Sequence, residues 1–352
     1  ASRVLLVSDA GNAEAGHVER AEAALAAAGL AVALCLDVDE NPDTRTVERV
    51  AAAARDAAPD LFVGLGGGSP IDAAKGADFL LVNGGAMEDY RGHHTARTPL
   101  LPLVAVPTTA GTGTEVQSFA LIERASDHQK MACGDPSAAP RIALLDPELT
   151  RTQPARVTAC TGLDTITHAV ESFVTRVGTP ISSLWAREAF ARADRAFPIV
   201  LERPDDLDAR GSMLLAATFA GLAIENSMLG AAHALANPLT AHHRIAHGHA
   251  VGAMLPHVVR FNAAAPEVAE RYAALARAAG LAPSADALVE RLREHLSRAG
   301  LGGGIAAVGV TEAAVPALAI EASAQWTAGF NPRPVAAADL ERLYRSALSD
   351  GE

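Results

Sequence analysis

The first half of the chain alternates short apolar segments with longer, alanine-rich segments of helical composition. RVLLVSD, AVALCLDV, LFVGLG and LPLVAVP are typical of buried strands, and HVERAEAALAAAG and TVERVAAAARDAAP are typical of the helices between them. Strands that alternate with helices form a parallel sheet with helices on both faces. The pattern therefore predicts an N-terminal α/β domain.

From about Pro154 the pattern changes to long amphipathic or apolar helical stretches, with almost no alternation of the strand type. Proline and glycine interrupt these stretches often enough to predict about seven to nine helices. We therefore predict two domains: residues 1–149, an α/β domain, and residues 150–352, an all-α domain.

Composition narrows the class of protein. The hydrophobic fraction of 49% and the charged fraction of 20% are those of a globular chain, and no apolar run approaches the roughly 20 residues that span a bilayer. We therefore expect no membrane partner and, without a secretory signal, a cytoplasmic location. The net charge of −12 disfavours nucleic acid as a partner. Cys35, Cys133 and Cys160 form no CxxC pair and are expected to be buried thiols.

A glycine turn follows the third predicted strand. In GLGGGSPID the glycines at positions 66, 67 and 68 leave a strand and open a helix, where backbone N–H groups and the helix dipole can meet a phosphate. Asp37 ends the second predicted strand, where a carboxylate can bind the adenosine ribose hydroxyls and repel a 2′-phosphate. The alternative is a solvated aspartate at the start of a turn. Together these features favour NAD over NADP.

A second turn, PTTAGTGTEV, follows the fourth predicted strand and is rich in hydroxyl groups. Thr108, Thr109, Thr112 and Thr114 surround two glycines there. Their hydroxyls can line a phosphate or a nicotinamide, although a plain turn stabilised by threonine side chains would have the same composition.

The segment TGLDTITHAVE places Asp164 and His168 four residues apart on a predicted helix, so both side chains leave the same face. Two ligands of one metal would have this spacing, and so would a surface contact. An aspartate combined with histidines suits iron(II) or zinc.

Five histidines lie in the stretch HALANPLTAHHRIAHGH, and spacing alone allows several sets of ligands. His243 and His247 are four residues apart, and His247 and His249 would suit a loop. Pro238 and Gly248 make one unbroken helix unfavourable, so two helix ends could also bring His233 and His247 together. Spacing does not decide among these sets.

Six segments together resemble the iron-containing, or group III, alcohol dehydrogenases: GGGSPIDAAKG, PTTAGTGTEV, GLDTITHAVESFVT, the stretch from His233 to His247, LPHVVRFN and WTAGFNPRP. The resemblance covers nearly the whole chain. It implies an N-terminal α/β domain that binds the dinucleotide, a C-terminal helical domain that holds a divalent metal, and an active site in the cleft between them.

The resemblance also implies roles for individual residues. The metal ligands of the family correspond to Asp164, His168, His233 and His247. The cofactor residues correspond to Gly67, Gly68 and Ser69 in the pyrophosphate turn, Thr109 and Thr112 on the nicotinamide side, Lys130 near the ribose, and Asp37 at the adenosine ribose. We add Thr108, from the same threonine-rich turn, to the cofactor residues.

The sequence departs from the family at two points. Many members have another histidine, near the substrate, four residues after the first histidine ligand, and this chain has Asn237. An amide cannot act as a general base at neutral pH, so a proton relay would use another group, such as His243, a water molecule or the cofactor ribose. Asn237 and His243 are the candidate catalytic positions. The chain also starts directly at its first strand, whereas members usually have residues before it, which bears on oligomer contacts.

The predicted function is that of a metal-dependent NAD(H) alcohol dehydrogenase or aldehyde reductase. The metal, with iron(II) preferred to zinc, would polarise the oxygen of a small alcohol or aldehyde while hydride moves to or from the nicotinamide. One alternative is an NAD- and metal-dependent lyase or cyclase of the dehydroquinate synthase type, against which the spacing of Asp164 and His168 argues. Another is a catalytically inactive relative. We expect a homodimer.

Overall fold

The computed structural model describes residues 1–127 and 129–349. The chain divides into two compact units, Ala1–Gln153 and Pro154–Glu352. The boundary that we predicted between residues 149 and 150 lies in the short 3-10 helix Pro147–Thr150, just before this division. Each unit is described by itself below.

The first unit contains a five-stranded sheet with the strand order β2-β1-β3-β4-β7 and a two-stranded sheet of β5 and β6. The strands are β1 (Arg3–Val7), β2 (Ala31–Cys35), β3 (Leu61–Gly66), β4 (Leu103–Pro107), β5 (Phe119–Glu123), β6 (Lys130–Gly134) and β7 (Ile142–Ala143). All neighbours in the larger sheet are parallel. Leu5 packs into the core on one face and Leu6 into the core on the other, which explains the continuously apolar strand sequences. The predicted α/β fold is confirmed.

The helices of the first unit are α1 (Ala10–Glu14), α2 (His17–Ala27), α3 (Thr44–Ala57) and α4 (Gly68–Asn83). Asp43 caps α3, because its Oδ1 accepts a hydrogen bond from the N–H of Thr46 at 2.9 Å. The antiparallel pair of β5 and β6 was not predicted. The sequence of β6, KMACG, includes both a lysine and a glycine, which obscures a strand pattern.

The second unit has nine α-helices and no β-strand within residues 154–349. The helices are α5 (Ala155–Val174), α6 (Pro180–Glu202), α7 (Leu207–Glu225), α8 (Ala231–His243), α9 (His247–Asn262), α10 (Pro266–Ala278), α11 (Ala285–Arg298), α12 (Val315–Ser323) and α13 (Ala337–Ala347). The chain does break within the histidine-rich stretch, as expected, but at neither of the residues that we expected to cause the break. Pro238 lies inside α8, which ends at His243 and is followed by the C-cap residue Arg244, with φ +52°.

One expectation from composition needs correction, namely that no apolar segment is long enough to span a bilayer. α7 has 19 residues and a mean hydropathy of 1.3 over its most apolar window, so it has the length and composition of a membrane span. In this structure α7 packs against α5 and α6, and 56% of that window is buried. Met213 and Leu214 of α7 contribute to the core of the helical unit.

Candidate active site

The glycine turn at the carboxyl end of β3 leads directly into α4, whose N-cap residue is Gly67. No side chain caps this helix, so the backbone N–H groups of its first turn are suited to an anionic ligand. Gly66 has φ +149°, and a Cβ atom there would lie 2.6 Å from Cγ of Pro70. The N–H of Thr108 donates to the carbonyl of Gly66 at 2.9 Å. The turn therefore requires glycine and fits a phosphate at a helix N-terminus.

The threonine-rich turn after β4 packs directly on the glycine turn. A Cβ atom at Gly68 would lie 2.7 Å from Cγ2 of Thr112, and one at Gly67 would lie 3.3 Å from Cγ2 of Thr109. Because β3 and β4 are parallel neighbours, both turns leave the same edge of the sheet. The structure thus brings together residues from two separate motifs that we assigned to one cofactor, and their binding roles stay predictions.

A buried lysine on α4 holds the threonine-rich turn in place. Nζ of Lys75 donates to the hydroxyl and the carbonyl of Thr114, each at 2.7 Å. The carbonyl oxygens of Gln117 and Phe119 also lie within hydrogen-bond distance of Nζ, at 2.9 and 2.8 Å, so its three N–H groups are shared among four acceptors. The Thr114 hydroxyl donates in turn to Oδ1 of Asp72. Burial raises the pKa of the Asp72 carboxyl, and the charge of Lys75 opposes that shift.

The loop after β2 also contacts the glycine turn. The N–H of Asn41 donates to the hydroxyl of Ser69 at 3.3 Å, and Nζ of Lys130 donates to Oδ1 of Asn41 at 3.0 Å. Asn41 thereby links two of the predicted cofactor residues. Asp37 lies four residues earlier in the same loop, and its side chain is 68% exposed. The predicted cofactor residues of this unit therefore lie around the carboxyl ends of β2, β3 and β4.

In the second unit, α5, α8 and α9 bring an aspartate and three histidines together. Asp164 and His168 are one turn apart on α5, His233 lies in the first turn of α8, and His247 begins α9. Oδ1 of Asp164 lies 3.4 Å from Nε2 of His168, 3.7 Å from Nε2 of His233 and 3.8 Å from Nε2 of His247. Of the sets that spacing allowed, the structure therefore brings His233 and His247 to Asp164.

This cluster fits a divalent cation. Oδ1 of Asp164 and Nε2 of His233 are buried, and neither has a hydrogen-bond partner in the described part of the chain. Buried polar atoms are normally satisfied, so two such atoms 3.7 Å apart indicate a cation site. One ligand atom from each of Asp164, His233 and His247 lies within 4.8 Å of the other two. His168 lies outside this grouping, but its Nε2 is 3.4 Å from Oδ1 of Asp164, so it would complete a donor set of one carboxylate and three imidazoles that suits iron(II) or zinc.

The carboxylate of Glu171, next to the cluster, orients the ring of His233. Oε2 of Glu171 lies 2.6 Å from Nδ1 of His233, and Oε1 of Glu171 accepts a hydrogen bond from the N–H of Ala232 at 2.6 Å. A hydrogen bond at Nδ1 leaves the Nε2 lone pair of His233 for a metal. Glu171 is therefore not a ligand but fixes both the ring of His233 and the start of α8.

The carboxylates of Asp164 and Glu171 favour a positive charge within the cluster. Burial opposes ionisation of Asp164, but the charge of His168 and the contact with His233 hold the pKa of Asp164 below its ordinary value. Burial also lowers the pKa of His233, yet the carboxylates of Asp164 and Glu171 outweigh it and raise the pKa to about 9. A bound cation would take over the charge of the His233 proton.

The two candidate catalytic positions are both on α8. Asn237 lies one turn after His233, and its Nδ2 donates to Oε1 of Gln325 at 3.0 Å. One amide thus holds another, and neither can act as a base. His243 is the half-buried last residue of α8, about 15 Å along the helix axis from His233. Among the described residues, the imidazoles within 4.0 Å of Oδ1 of Asp164 are those of His168, His233 and His247, and not that of His243. The proton relay therefore stays a prediction.

Two residues of these sites were not found from the sequence. Glu171 follows Asp164 by seven residues and His168 by three, so helical periodicity places all three on one face of α5 and could have identified it. Lys75 gives no such signal, because a lysine in a helix is normally exposed, whereas this one is 1% exposed.

Comparison with known proteins identifies the family. The family model "Iron-containing alcohol dehydrogenase" matches residues 1–147, and the model "Fe-containing alcohol dehydrogenase family, C-terminal" matches residues 158–348. The NAD-dependent methanol dehydrogenase of Bacillus methanolicus is 32% identical, over 99% of this chain and 93% of its own length. The lactaldehyde reductase of Escherichia coli K12 is 32% identical, over 98% of this chain and 92% of its own length.

A solved structure agrees with these relatives. The crystal structure of a 1,3-propanediol oxidoreductase matches with a TM-score of 0.94 and 31% identity, over 98% of this chain and 92% of that chain. The predicted fold and enzyme class are confirmed, and the comparisons support the dehydrogenase over the lyase or cyclase alternative. The chain therefore belongs to the iron-containing alcohol dehydrogenase family, a family of oxidoreductases.

Proposed function

We propose that the protein is a divalent-metal-dependent, NAD-linked alcohol dehydrogenase that interconverts small alcohols and aldehydes. The observation that carries this proposal is the grouping of the buried Asp164 and His233 with the half-buried His247 in a member of this family. A surface contact between an aspartate and histidines would not bury Oδ1 of Asp164 without a hydrogen-bond partner.

The chemistry of the reaction comes from groups that the protein binds. A divalent cation supplies Lewis acidity toward the substrate oxygen, and a nicotinamide supplies or accepts the hydride. Asp164, His168, His233 and His247 would hold the cation, and Glu171 presents Nε2 of His233 to it. One carboxylate among neutral imidazoles leaves a divalent cation with a net positive charge, which is the condition for polarising a carbonyl or an alcohol.

The first unit supplies a binding site for the dinucleotide. The uncapped N-terminus of α4 and the contact between the glycine and threonine-rich turns support a site for a pyrophosphate. The Asp37 carboxylate, in the loop directly after β2, supports NAD rather than NADP. The NAD-dependent relative from Bacillus methanolicus agrees with this preference.

The substrate class follows from the relatives, whose names specify methanol, lactaldehyde and 1,3-propanediol. The test is NADH consumption by iron(II)-loaded, oxygen-protected protein with a panel of short aldehydes, followed by the reverse reaction with the matching alcohols. We expect stoichiometric conversion of NADH for at least one short aldehyde. An enzyme of the dehydroquinate synthase type would use NAD without net turnover, so product formation without net NADH loss would refute the proposal.

We also propose that the protein forms a homodimer and is located in the cytoplasm. Ile181 and Leu184, near the start of α6, are 57% and 49% exposed, and exposed apolar side chains of this size favour a contact between subunits. The three cysteines are buried thiols, which is consistent with a reducing compartment. Light scattering during size-exclusion chromatography tests the homodimer, and a monomeric mass would refute it. Fractionation of expressing cells tests the cytoplasmic location.

A further inference from the structure

Arg49 lies beside the aspartate that we assign to NAD selection. Its Nε donates to Oδ2 of Asp37 at 2.7 Å, and its Nη2 donates to Oδ2 of Asp39 at 2.7 Å. One guanidinium thus joins two carboxylates in the loop after β2. These three groups carry one net negative charge, and all three side chains are partly exposed to solvent.

The position of Arg49 is fixed by the start of α3. The hydroxyl of Thr46 donates to Oδ2 of Asp39 at 3.0 Å, and Nη2 of Arg49 lies 3.2 Å from the same hydroxyl. The loop that carries both aspartates contacts the glycine turn through Asn41 and Ser69. The guanidinium is therefore held at the side of the cofactor site where an adenosine ribose would lie.

We propose that Arg49 is a specificity-determining residue for the cofactor. Its guanidinium is a latent receptor for a 2′-phosphate: it has the donors to bind this group, but Asp37 and Asp39 occupy it. Guanidinium groups bind phosphates and carboxylates with the same planar arrangement of N–H donors. While the two carboxylates engage Nε and Nη2 of Arg49, a 2′-phosphate meets the negative charge of Asp37 instead. The ribose 2′-hydroxyl of NAD can donate to that carboxylate.

This inference rests on the NAD site of the proposed function. It differs from cofactor selection by Asp37 alone in what it predicts for variants that lack Asp37. If Asp37 acts only by repulsion, its removal should admit NADPH whether or not Arg49 is present. If Arg49 is a latent receptor, removal of Asp37 frees its Nε, and the gain in NADPH binding depends on the guanidinium.

The experiment measures dissociation constants of NADH and NADPH by nucleotide fluorescence for full-length protein. The variants are Asp37→Ser, Arg49→Met, the double variant of both, and Asp37→Ser combined with Arg55→Met. Arg55 is the matched control, since it lies on α3, about 9 Å further along the helix, and its removal changes the net charge equally. Circular dichroism and thermal unfolding establish that each variant is folded.

We expect Asp37→Ser to improve the affinity for NADPH relative to NADH by roughly tenfold or more, the value of a charged hydrogen bond. Adding Arg49→Met should abolish this gain, and adding Arg55→Met should leave it. A gain that survives Arg49→Met would overturn the role of Arg49, as would Asp37→Ser having no effect.

Binding rather than turnover separates this inference from the proposed function. Protein that binds neither nucleotide before mutation would refute both the proposed function and the inference. Protein that binds NADH, with a preference unaffected by Arg49 in the Asp37→Ser background, would refute the inference alone.

Discussion

At the level of single residues, the cation site depends on a carboxylate that is not itself a ligand. Glu171 contacts Nδ1 of His233 at 2.6 Å, and its side chain is buried. Loss of such a partner typically lowers metal affinity by about 10- to 100-fold. We therefore expect Glu171→Gln to weaken zinc binding by about this factor, because an amide can present either an oxygen or an N–H group to His233.

The measurement is zinc affinity by competition with a chelator, made on protein without substrate or cofactor. The matched control is Glu321→Gln, because Glu321 lies 2.7 Å from His242 on the surface and makes the same kind of contact outside the cluster. Zinc affinity that is unchanged in Glu171→Gln, or equally reduced in both variants, would contradict the role given to Glu171.

Asp78 makes stability depend on pH. It is a buried residue of α4 whose Oδ1 has no hydrogen-bond partner in the described chain, and burial raises its pKa to about 7. Because this pKa exceeds that of the unfolded chain, the native state binds more protons between about pH 4 and pH 7. The free energy of unfolding should therefore fall as pH rises through that window, by up to about 4 kcal/mol from this group, and level off above it.

Urea unfolding at pH 5 and pH 8 tests this effect. Asp78→Asn cannot ionise, so the variant should lose the part of the pH dependence that comes from residue 78 and gain stability at pH 8. An equal fall from pH 5 to pH 8 in both proteins would mean that Asp78 is already ionised at pH 5 in the folded protein, which would contradict a raised pKa.

At the level of elements, the contact of α9 with α5 sets the distance between two predicted metal ligands, His247 and Asp164. A Cβ atom on Gly248 would lie 1.9 Å from the carbonyl oxygen of Cys160, which is backbone and cannot move aside. Gly248 follows His247 directly, and Cys160 lies one turn before Asp164. We therefore expect Gly248→Ala to separate the helices, lower the free energy of unfolding by about 1–3 kcal/mol or more, and weaken metal binding.

Gly252→Ala is the control for this prediction, since a Cβ there would lie 3.1 Å from the flexible side chain of Leu163 on the same helix pair. Thermal unfolding and zinc affinity are the measurements. Similar effects of the two substitutions, or normal zinc binding in Gly248→Ala, would refute the claim that this contact positions the cluster.

The network of Lys75 makes α4 and the threonine-rich turn act as one element. Thr114→Val keeps the shape of the side chain but removes the hydroxyl between Lys75 and Asp72. We expect a loss of about 1–3 kcal/mol in the free energy of unfolding and weaker NADH binding, with Thr114→Ser retaining both. NADH binding that is unchanged in Thr114→Val would show that the network stabilises the fold without positioning the turn.

At the level of the whole molecule, sequence patterns predicted the parallel sheet, the helical second half and the change between them. The sheet was predictable because its strands are buried on both faces, and the helices because proline and glycine mark their ends. The pair of β5 and β6 was missed because a lysine and a glycine in β6 obscure the strand pattern.

The candidate site was only partly predictable for a different reason. Residues four apart on one helix, such as Asp164 and His168, are linked by local geometry. The distance from Asp164 to His233 or His247 depends on how α5, α8 and α9 pack, which spacing along the chain does not encode. Resemblance to a family, rather than spacing, singled out these two histidines.

The central claim is that the Asp–His cluster binds the cation on which hydride transfer depends. The most direct measurement titrates metal-free protein with iron(II) under exclusion of oxygen, while NADH consumption is followed with a short aldehyde, beside the variant His247→Ala. We predict that activity rises in proportion to bound metal until a single cation per chain is bound, and that His247→Ala neither retains metal nor consumes NADH. Full metal retention in the variant, or activity in metal-free protein, would contradict the account.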